Sequence, residues 1–141
     1  MLIGIPPLLG PDLLHTLRAM GHGDEIALVD GNYPAAEHGR RLIRADGLDM
    51  AQVLQAILQV LPIEGAFRAA LNNDPVQAAA IHHRIDAIVQ QSAFSAKATP
   101  LGGEALYPRI KAAYAIVATS EPQPFANVIL RKGVILPANS A

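Results

Sequence analysis

The stretch GHGDEIALVDGN, residues 21–32, decides the fold of this chain. Its centre, Glu25–Asp30 (EIALVD), is a short and mostly apolar run of the length of one buried strand, with turn residues on both sides. In the segment before it, which opens with Pro11-Asp12, apolar residues recur at helical spacing, namely Leu13, Leu14, Leu17 and Met20. A helix that leads into a buried strand predicts an α/β fold.

The rest of the chain continues this alternation. Asp49 is placed to cap a second helix that Pro62 ends, and Asp74-Pro75 is placed to begin a third helix that runs to about Gln91. Residues 99–103 predict a loop. The remaining segments predict a strand over 42–44, a helix over 104–113, a strand over 114–119 and a last strand or pair over 128–136. We therefore expect one α/β domain over residues 1–141, with helices on both faces of its sheet.

Composition excludes several classes of protein. The 141 residues carry a net charge of -1 with scattered Lys and Arg, which leaves no basic surface for nucleic acid. No apolar stretch approaches the roughly 20 residues that cross a membrane. Residues 1–10 lack the basic start of a signal peptide. The absence of cysteine excludes disulfides and thiolate nucleophiles, and we expect a cytoplasmic protein.

The balance of apolar and charged residues points to an oligomer. Hydrophobic residues make up 51% of the chain and charged residues only 16%, against a usual charged share of about 25%. A small domain has little interior in which to bury this excess, so part of its apolar surface is expected to meet another subunit.

His22 is the first candidate for acid–base chemistry. It lies between Gly21 and Gly23, directly before the predicted buried strand, and Asp30 stands at the other end of that strand. Imidazole titrates near neutral pH, so a histidine in such a turn can give or take a proton. Two other interpretations stay open: a loop histidine that only caps its neighbours, and a metal site made of His22, Asp24 and Asp30.

The other histidines are weaker candidates. His82 and His83 are adjacent on a predicted helix and so point about 100° apart, which argues against a shared metal ion. His15 is expected on the exposed side of the first helix, and His38 in a loop.

A second set of candidates lies further along the chain. Phe125-Ala126-Asn127 offers an aromatic ring beside an amide, a pairing that suits a sugar, whose C–H face stacks on the ring while its hydroxyls bond to the amide. Glu64 follows the Pro62 break and Tyr107 lies near the start of a predicted helix. Each of these two, taken alone, is most often a surface or capping residue.

Six stretches together resemble the RbsD/FucU family, in its fucose mutarotase branch. They are MGHGDEI (20–26), DGNYPA (30–35), IRADG (43–47), VLQAILQVLPIE (53–64), AYAIVATSE (113–121) and FANVILRKGV (125–134). The resemblance keeps the same order over nearly the whole chain, while the middle, residues 65–103, matches poorly.

This resemblance implies a single-domain, three-layer α/β fold and an enzyme that interconverts the anomers of a free monosaccharide without cofactor or metal. It also implies a homo-oligomer, in bacteria often a decameric ring, with sites between neighbouring subunits. By motif, His22 corresponds to the proton donor of the family and Asp30 to its sugar-binding carboxylate. The stretch Phe125-Ala126-Asn127 corresponds to a sugar-binding Tyr-x-Asn motif. Glu64 and Tyr107 fall where mammalian-type mutarotases have a catalytic aspartate and a catalytic tyrosine.

Two departures from the family pattern leave the sugar open. Phe125 lacks the hydroxyl of the motif tyrosine, and no arginine stands near Gly103, where bacterial relatives have one. Three alternatives therefore remain at this point: a sugar-binding or regulatory module without turnover, a ring-form isomerase of the D-ribose pyranase type, and a metal-dependent hydrolase or isomerase built on His22 and Asp30.

Overall fold

Six strands form one mixed sheet in the order β2-β5-β1-β6-β3-β4. The structure is a computed structural model, and it describes residues 1–138. The strands are β1 (Glu25–Val29), β2 (Leu42–Ala45), β3 (Ile63–Ala69), β4 (Ala98–Leu101), β5 (Ala115–Thr119) and β6 (Val128–Lys132). Only β6 among them runs antiparallel, between β1 and β3. The other five strands therefore end at one edge of the sheet, the carboxyl edge, and begin at the opposite amino edge.

Helices cover both faces of this sheet, as the sequence predicts. They are α1 (Pro11–Ala19), α2 (Ala35–His38), α3 (Met50–Leu58), α4 (Ala80–Gln91) and α5 (Gly103–Ala112). Alternate residues of β1 point to opposite faces: Ile26 and Leu28 pack with α1, α3 and α4, while Ala27 and Val29 pack with α5. The result is a three-layer α/β fold. None of the helices over residues 1–138 has the length and apolar character needed to cross a lipid bilayer.

The start of α3 shows how closely local sequence sets an element. The Asp49 side chain accepts the backbone N–H of Gln52 at 2.9 Å, and the Gln52 side chain accepts the backbone N–H of Asp49 at 3.0 Å. This reciprocal cap satisfies two backbone donors that a helix start leaves free. The predicted cap at Asp49 is confirmed.

The predicted start of α4 is wrong. Asp74 does not cap a helix; it follows a short 3₁₀ turn, Leu71–Asn73, and its carboxylate accepts the N–H of Val76. The helix begins only at Ala80, because the His82 side chain accepts the backbone N–H of Ala79 at 2.9 Å and takes the place of a capping residue.

Two strands also differ from the sequence prediction. The predicted loop at residues 99–103 is wrong in its first part, since β4 pairs there in parallel with β3. Pro100 is tolerated because β4 lies at the edge of the sheet, where a missing N–H costs no ladder bond. The strand predicted over 128–136 ends at Lys132, and β3 and α2 were not predicted.

Candidate functional site

The carboxyl edge of the sheet brings a carboxylate and an amide together between β1 and β6. Asp30 follows the last residue of β1, and Asn127 precedes the first residue of β6. Because the two strands are antiparallel neighbours, these residues meet: the backbone N–H of Asp30 donates to Asn127 Oδ1 at 2.9 Å. The Asp30 carboxylate accepts the N–H of Asn32 at 2.9 Å, and both Asp30 and Asn127 are buried. Two polar side chains are thus held rigidly at one point of the sheet edge.

A pocket of about 460 Å³ opens over this pair. Its size suits a small molecule. It is lined by Asp30, Asn32, Tyr33, Pro34, His38, Tyr107, Lys111, Pro124, Phe125 and Asn127. Of the residues predicted from sequence, four line this pocket: Asp30, Tyr107, Phe125 and Asn127. Ala126 is fully buried and does not line the pocket.

The wall of the pocket at Phe125 is fixed by a buried histidine. Phe125 has a left-handed backbone, with φ of 57°, which a bulky residue seldom adopts. Its carbonyl accepts the Nε2–H of His82 at 2.7 Å, while Nδ1 of the same ring accepts the N–H of Ala79. This arrangement requires the neutral ring with its proton on Nε2, and burial lowers the pKa of His82. His82 supports the site without entering it, whereas the sequence suggested for it only the role of a metal ligand, and a weak one.

Tyr107 takes its place in the pocket through a glycine one turn earlier on α5. Gly103 is the first residue of the helix, and a Cβ on it would come within 2.9 Å of the Tyr107 ring. The ring of Tyr107 lies 6.3 Å from that of Tyr33, centroid to centroid. Burial, and secondarily the neighbouring Tyr107, raise the pKa of Tyr33. Gly103, near which the resemblance places an arginine in bacterial relatives, therefore leaves room for the Tyr107 ring.

His22 and Glu64 form a second pair, at the amino edge. His22 Nε2 lies 2.9 Å from Glu64 Oε2, and the two side chains are 60% and 42% exposed. The pair depends on local backbone irregularities. Gly23, with φ of 86°, turns the chain after His22. Glu64 is an extra residue in β3 at a β-bulge opposite β6, and a bulge re-aims the side chain that it carries.

The two groups of residues do not meet within one chain. His22 precedes β1 and Asp30 follows it, and β1 has five residues; at the rise of a strand, they are separated by about 16 Å or more. His22 and Asp30 of one chain therefore cannot ligate the same metal ion. Over residues 1–138, no group of three or more His, Asp or Glu residues is arranged to hold one.

Six residues that line the pocket were not predicted from the sequence: Asn32, Tyr33, Pro34, His38, Lys111 and Pro124. Tyr33 stands in the turn after Asp30, and a ring next to a strand-end carboxylate is the signal that could have found it. His38 was expected in a loop, but it is the last residue of α2, and its Nδ1 lies 2.8 Å from the Tyr33 hydroxyl. His15 is exposed on α1, as predicted.

This fold and this pocket define the class of the protein: a three-layer α/β chain with a small polar and aromatic site at the carboxyl edge of its sheet, where such folds bind their ligands. The model of the RbsD / FucU transport protein family matches residues 3–135. The chain belongs to this family.

Relatives are similar over almost their full length. The fucose mutarotase of Bos taurus is 37% identical, covering 97% of this chain and 96% of that protein. The L-fucose mutarotase of Glaesserella parasuis is also 37% identical, covering 95% of this chain and 96% of that protein. Among solved structures, the fucose mutarotase of Streptococcus pneumoniae in complex with L-fucose superposes with a TM-score of 0.81 at 36% identity, covering 96% of this chain and 100% of that one.

Proposed function

We propose that residues 1–141 form one cofactor-independent mutarotase domain that interconverts the anomers of a free sugar, L-fucose or a close relative. The observation that carries this proposal is the pocket at the carboxyl edge, where a buried carboxylate and amide stand beside three aromatic rings. The relatives named fucose mutarotase, similar over nearly the full chain, support it.

Mutarotation needs only proton transfer. The sugar ring opens when the anomeric hydroxyl loses a proton and the ring oxygen gains one. The free aldehyde group then rotates, and the hydroxyl adds to the other face of its carbonyl, which gives the other anomer. In this proposal Asp30 and Asn127 hold sugar hydroxyls, and Phe125 offers its ring face to the sugar's C–H groups. Fixed hydroxyl positions bring the reacting oxygens to the catalytic groups.

We assign the two proton transfers to opposite sides of the sugar. Tyr107 lies in the pocket and serves one reacting oxygen. His22 serves the other as proton donor and acceptor, and its contact with Glu64 fixes the orientation of the ring. A positioned acid or base of this kind contributes about 10²–10⁴-fold to the rate.

The two sides must then come from different subunits of a homo-oligomer, because His22 and Asp30 lie at opposite edges of the sheet. The surface beside the His22 and Glu64 pair supports this. Gly133 lies against the backbone of Ile63 and Glu64. The residues after it, Val134, Ile135 and Leu136, are 51%, 82% and 67% exposed. An exposed apolar segment next to half of a site is a place for a second copy to bind. A ring, such as the decamer that the family resemblance implies, would repeat this contact around an axis.

The function is tested by saturation-transfer NMR on the anomeric protons of L-fucose, D-ribose, D-galactose and L-rhamnose. His22→Ala should lower the exchange rate by about 10²–10⁴-fold. His15→Ala, on the exposed side of α1, is the matched control and should leave the rate unchanged. A parent protein that accelerates none of these sugars, or a His22→Ala rate within about threefold of the parent, would falsify the assignment.

The shared site is tested by mixing two inactive variants. His22→Ala damages the amino-edge half of a site and Asp30→Asn the carboxyl-edge half, so reassembly of mixed subunits should restore up to about a quarter of the parent activity. Each variant alone, reassembled in the same way, is the control. Light scattering that finds a 14.9 kDa particle at micromolar concentration would contradict the oligomer. We also propose a cytoplasmic location, because the chain has no cysteine and so cannot form the disulfides that are typical of proteins in oxidising compartments.

A further inference from the structure

The pocket contains a hydroxyl that the proposed mechanism does not use. The Tyr33 hydroxyl lies 2.8 Å from His38 Nδ1, and both side chains line the pocket together with Asp30 and Phe125. The Tyr33 ring also contacts two neighbours: the His38 ring edge-on at 5.3 Å and the Tyr107 ring at 6.3 Å, centroid to centroid. Tyr33 is therefore held in one orientation on the pocket wall.

Its backbone is fixed to the carboxylate of the site. The N–H of Tyr33 donates to the carbonyl of Asp30 at 3.3 Å, and the carbonyl of Tyr33 accepts the N–H of Ala35 at 2.8 Å, where α2 begins. His38 closes α2 one turn later. The turn thus fixes the backbone of Tyr33 relative to Asp30, and α2 holds His38 against the Tyr33 hydroxyl. Together they set the distance from Asp30 to that hydroxyl.

We propose that Tyr33 is a specificity-determining residue, which binds a hydroxyl of the sugar, and that His38 is the positioning residue that orients it. The proposal rests on the sugar mutarotase function proposed above. Where Nδ1 of His38 is the acceptor in this contact, the Tyr33 O–H donates to it, and the phenol oxygen keeps its lone pairs for an O–H of the sugar. The site therefore selects a sugar with a hydroxyl at that point and rejects the analogue without it, because the bound polar group would lose its partner.

This assignment also bears on Phe125. Phe125 stands where the family motif has a tyrosine and so lacks the hydroxyl of that tyrosine, but Tyr33 brings a hydroxyl to the same pocket. The pocket thus keeps a tyrosine hydroxyl for its ligand, presented from the α2 side.

The test compares Tyr33→Phe with the parent in binding titrations and in NMR exchange, using L-fucose, L-galactose, D-arabinose and D-ribose. Phenylalanine keeps the ring contacts with Tyr107 and removes only the hydroxyl. We expect affinity for the preferred sugar to fall about three- to tenfold, the worth of one hydrogen bond. The ratio of the affinity for the preferred sugar to the affinity for each other sugar should fall by the same factor. Tyr114→Phe, a tyrosine outside the pocket, is the matched control.

The role of His38 has its own signature. His38→Leu should weaken binding in the parent but add nothing in the Tyr33→Phe background, because its effect passes through the hydroxyl. His38→Gln, whose amide oxygen can accept the Tyr33 O–H, should restore binding. A parent that binds and exchanges sugars while Tyr33→Phe matches it within a factor of two on every sugar overturns this inference alone. A parent that exchanges no sugar overturns the proposed function, and the inference with it.

Discussion

Replacement of His82 by alanine should destabilise the protein and loosen the sugar pocket together. The imidazole is fully buried and joins two segments, by accepting the N–H of Ala79 and donating to the carbonyl of Phe125. The first bond substitutes for a helix cap at α4. The second holds a residue in a left-handed conformation, which costs about 1–3 kcal/mol when nothing compensates.

The magnitude follows from these two partners. A hydrogen-bonding group left without its partner costs about 1–3 kcal/mol. Because both backbone groups are only partly buried, water can reach them, so the lower part of that range applies to each. The cavity left by the ring adds roughly 1 kcal/mol, as for other truncations in a packed core. The expected loss in the free energy of unfolding is about 3–4 kcal/mol, which a domain of ordinary stability survives.

Urea denaturation at one fixed protein concentration measures this loss, since an oligomer's stability depends on concentration. His83→Ala is the matched control: it removes the neighbouring, exposed histidine and should change the stability by less than about 0.5 kcal/mol. Sugar titration of the same two variants should show weaker binding for His82→Ala only. Equal stabilities of the two variants, or a loss below about 1 kcal/mol, would refute the bridging role.

Three further predictions concern the same pocket. Gly103→Ala places a Cβ within 2.9 Å of the Tyr107 ring, so NMR exchange should slow by about 10- to 100-fold as the ring moves; an unchanged rate would remove Tyr107 from the chemistry. Phe125→Tyr restores the motif hydroxyl and should tighten L-fucose binding by up to about tenfold in titrations, whereas weaker binding of every sugar would mean a pocket built for another ligand. Burial lowers the pKa of His82 below 6.5. As the pH falls, His82 therefore binds a proton in the unfolded chain at a higher pH than in the folded one. The free energy of unfolding should therefore hold above pH 6.5 and decline as the pH falls toward the folded-state pKa. Urea titrations across pH should show a smaller decline in His82→Ala, and equal declines would contradict the shift.

Elements whose signals are local were predictable from the sequence. β1 is an apolar run between turns, and the cap of α3 needs only Asp49 and Gln52, three residues apart. The start of α4 was not predictable in this way, because a side chain from inside the helix, His82, caps it. The strand β4 was missed because Pro100 is a strand breaker except at a sheet edge, and the edge is a property of the whole sheet.

The residues of the candidate site could be proposed from the sequence, but the contacts between them could not. Asp30 and Asn127 were proposed for the polar chemistry that each side chain offers and for their motifs, but their contact joins residues 97 positions apart and depends on β6 pairing with β1. The pairing of His22 with Glu64 depends on a bulge that follows from strand register and leaves no mark in composition. Family resemblance supplied what periodicity could not.

The position of β6 has a consequence for how the chain folds. The sixth strand in sequence is the one that joins β1 to β3, so residues 1–127 alone can build only two sheet fragments, β2-β5-β1 and β3-β4, with no ladder between them. Until β6 inserts, each fragment presents an unpaired apolar edge, the kind of surface on which chains aggregate. Its pairing with β1 spans about a hundred residues of sequence and is slow to form. Recovery of this protein from denaturant should therefore depend on protein concentration, with chaperones that shield strand edges raising the yield.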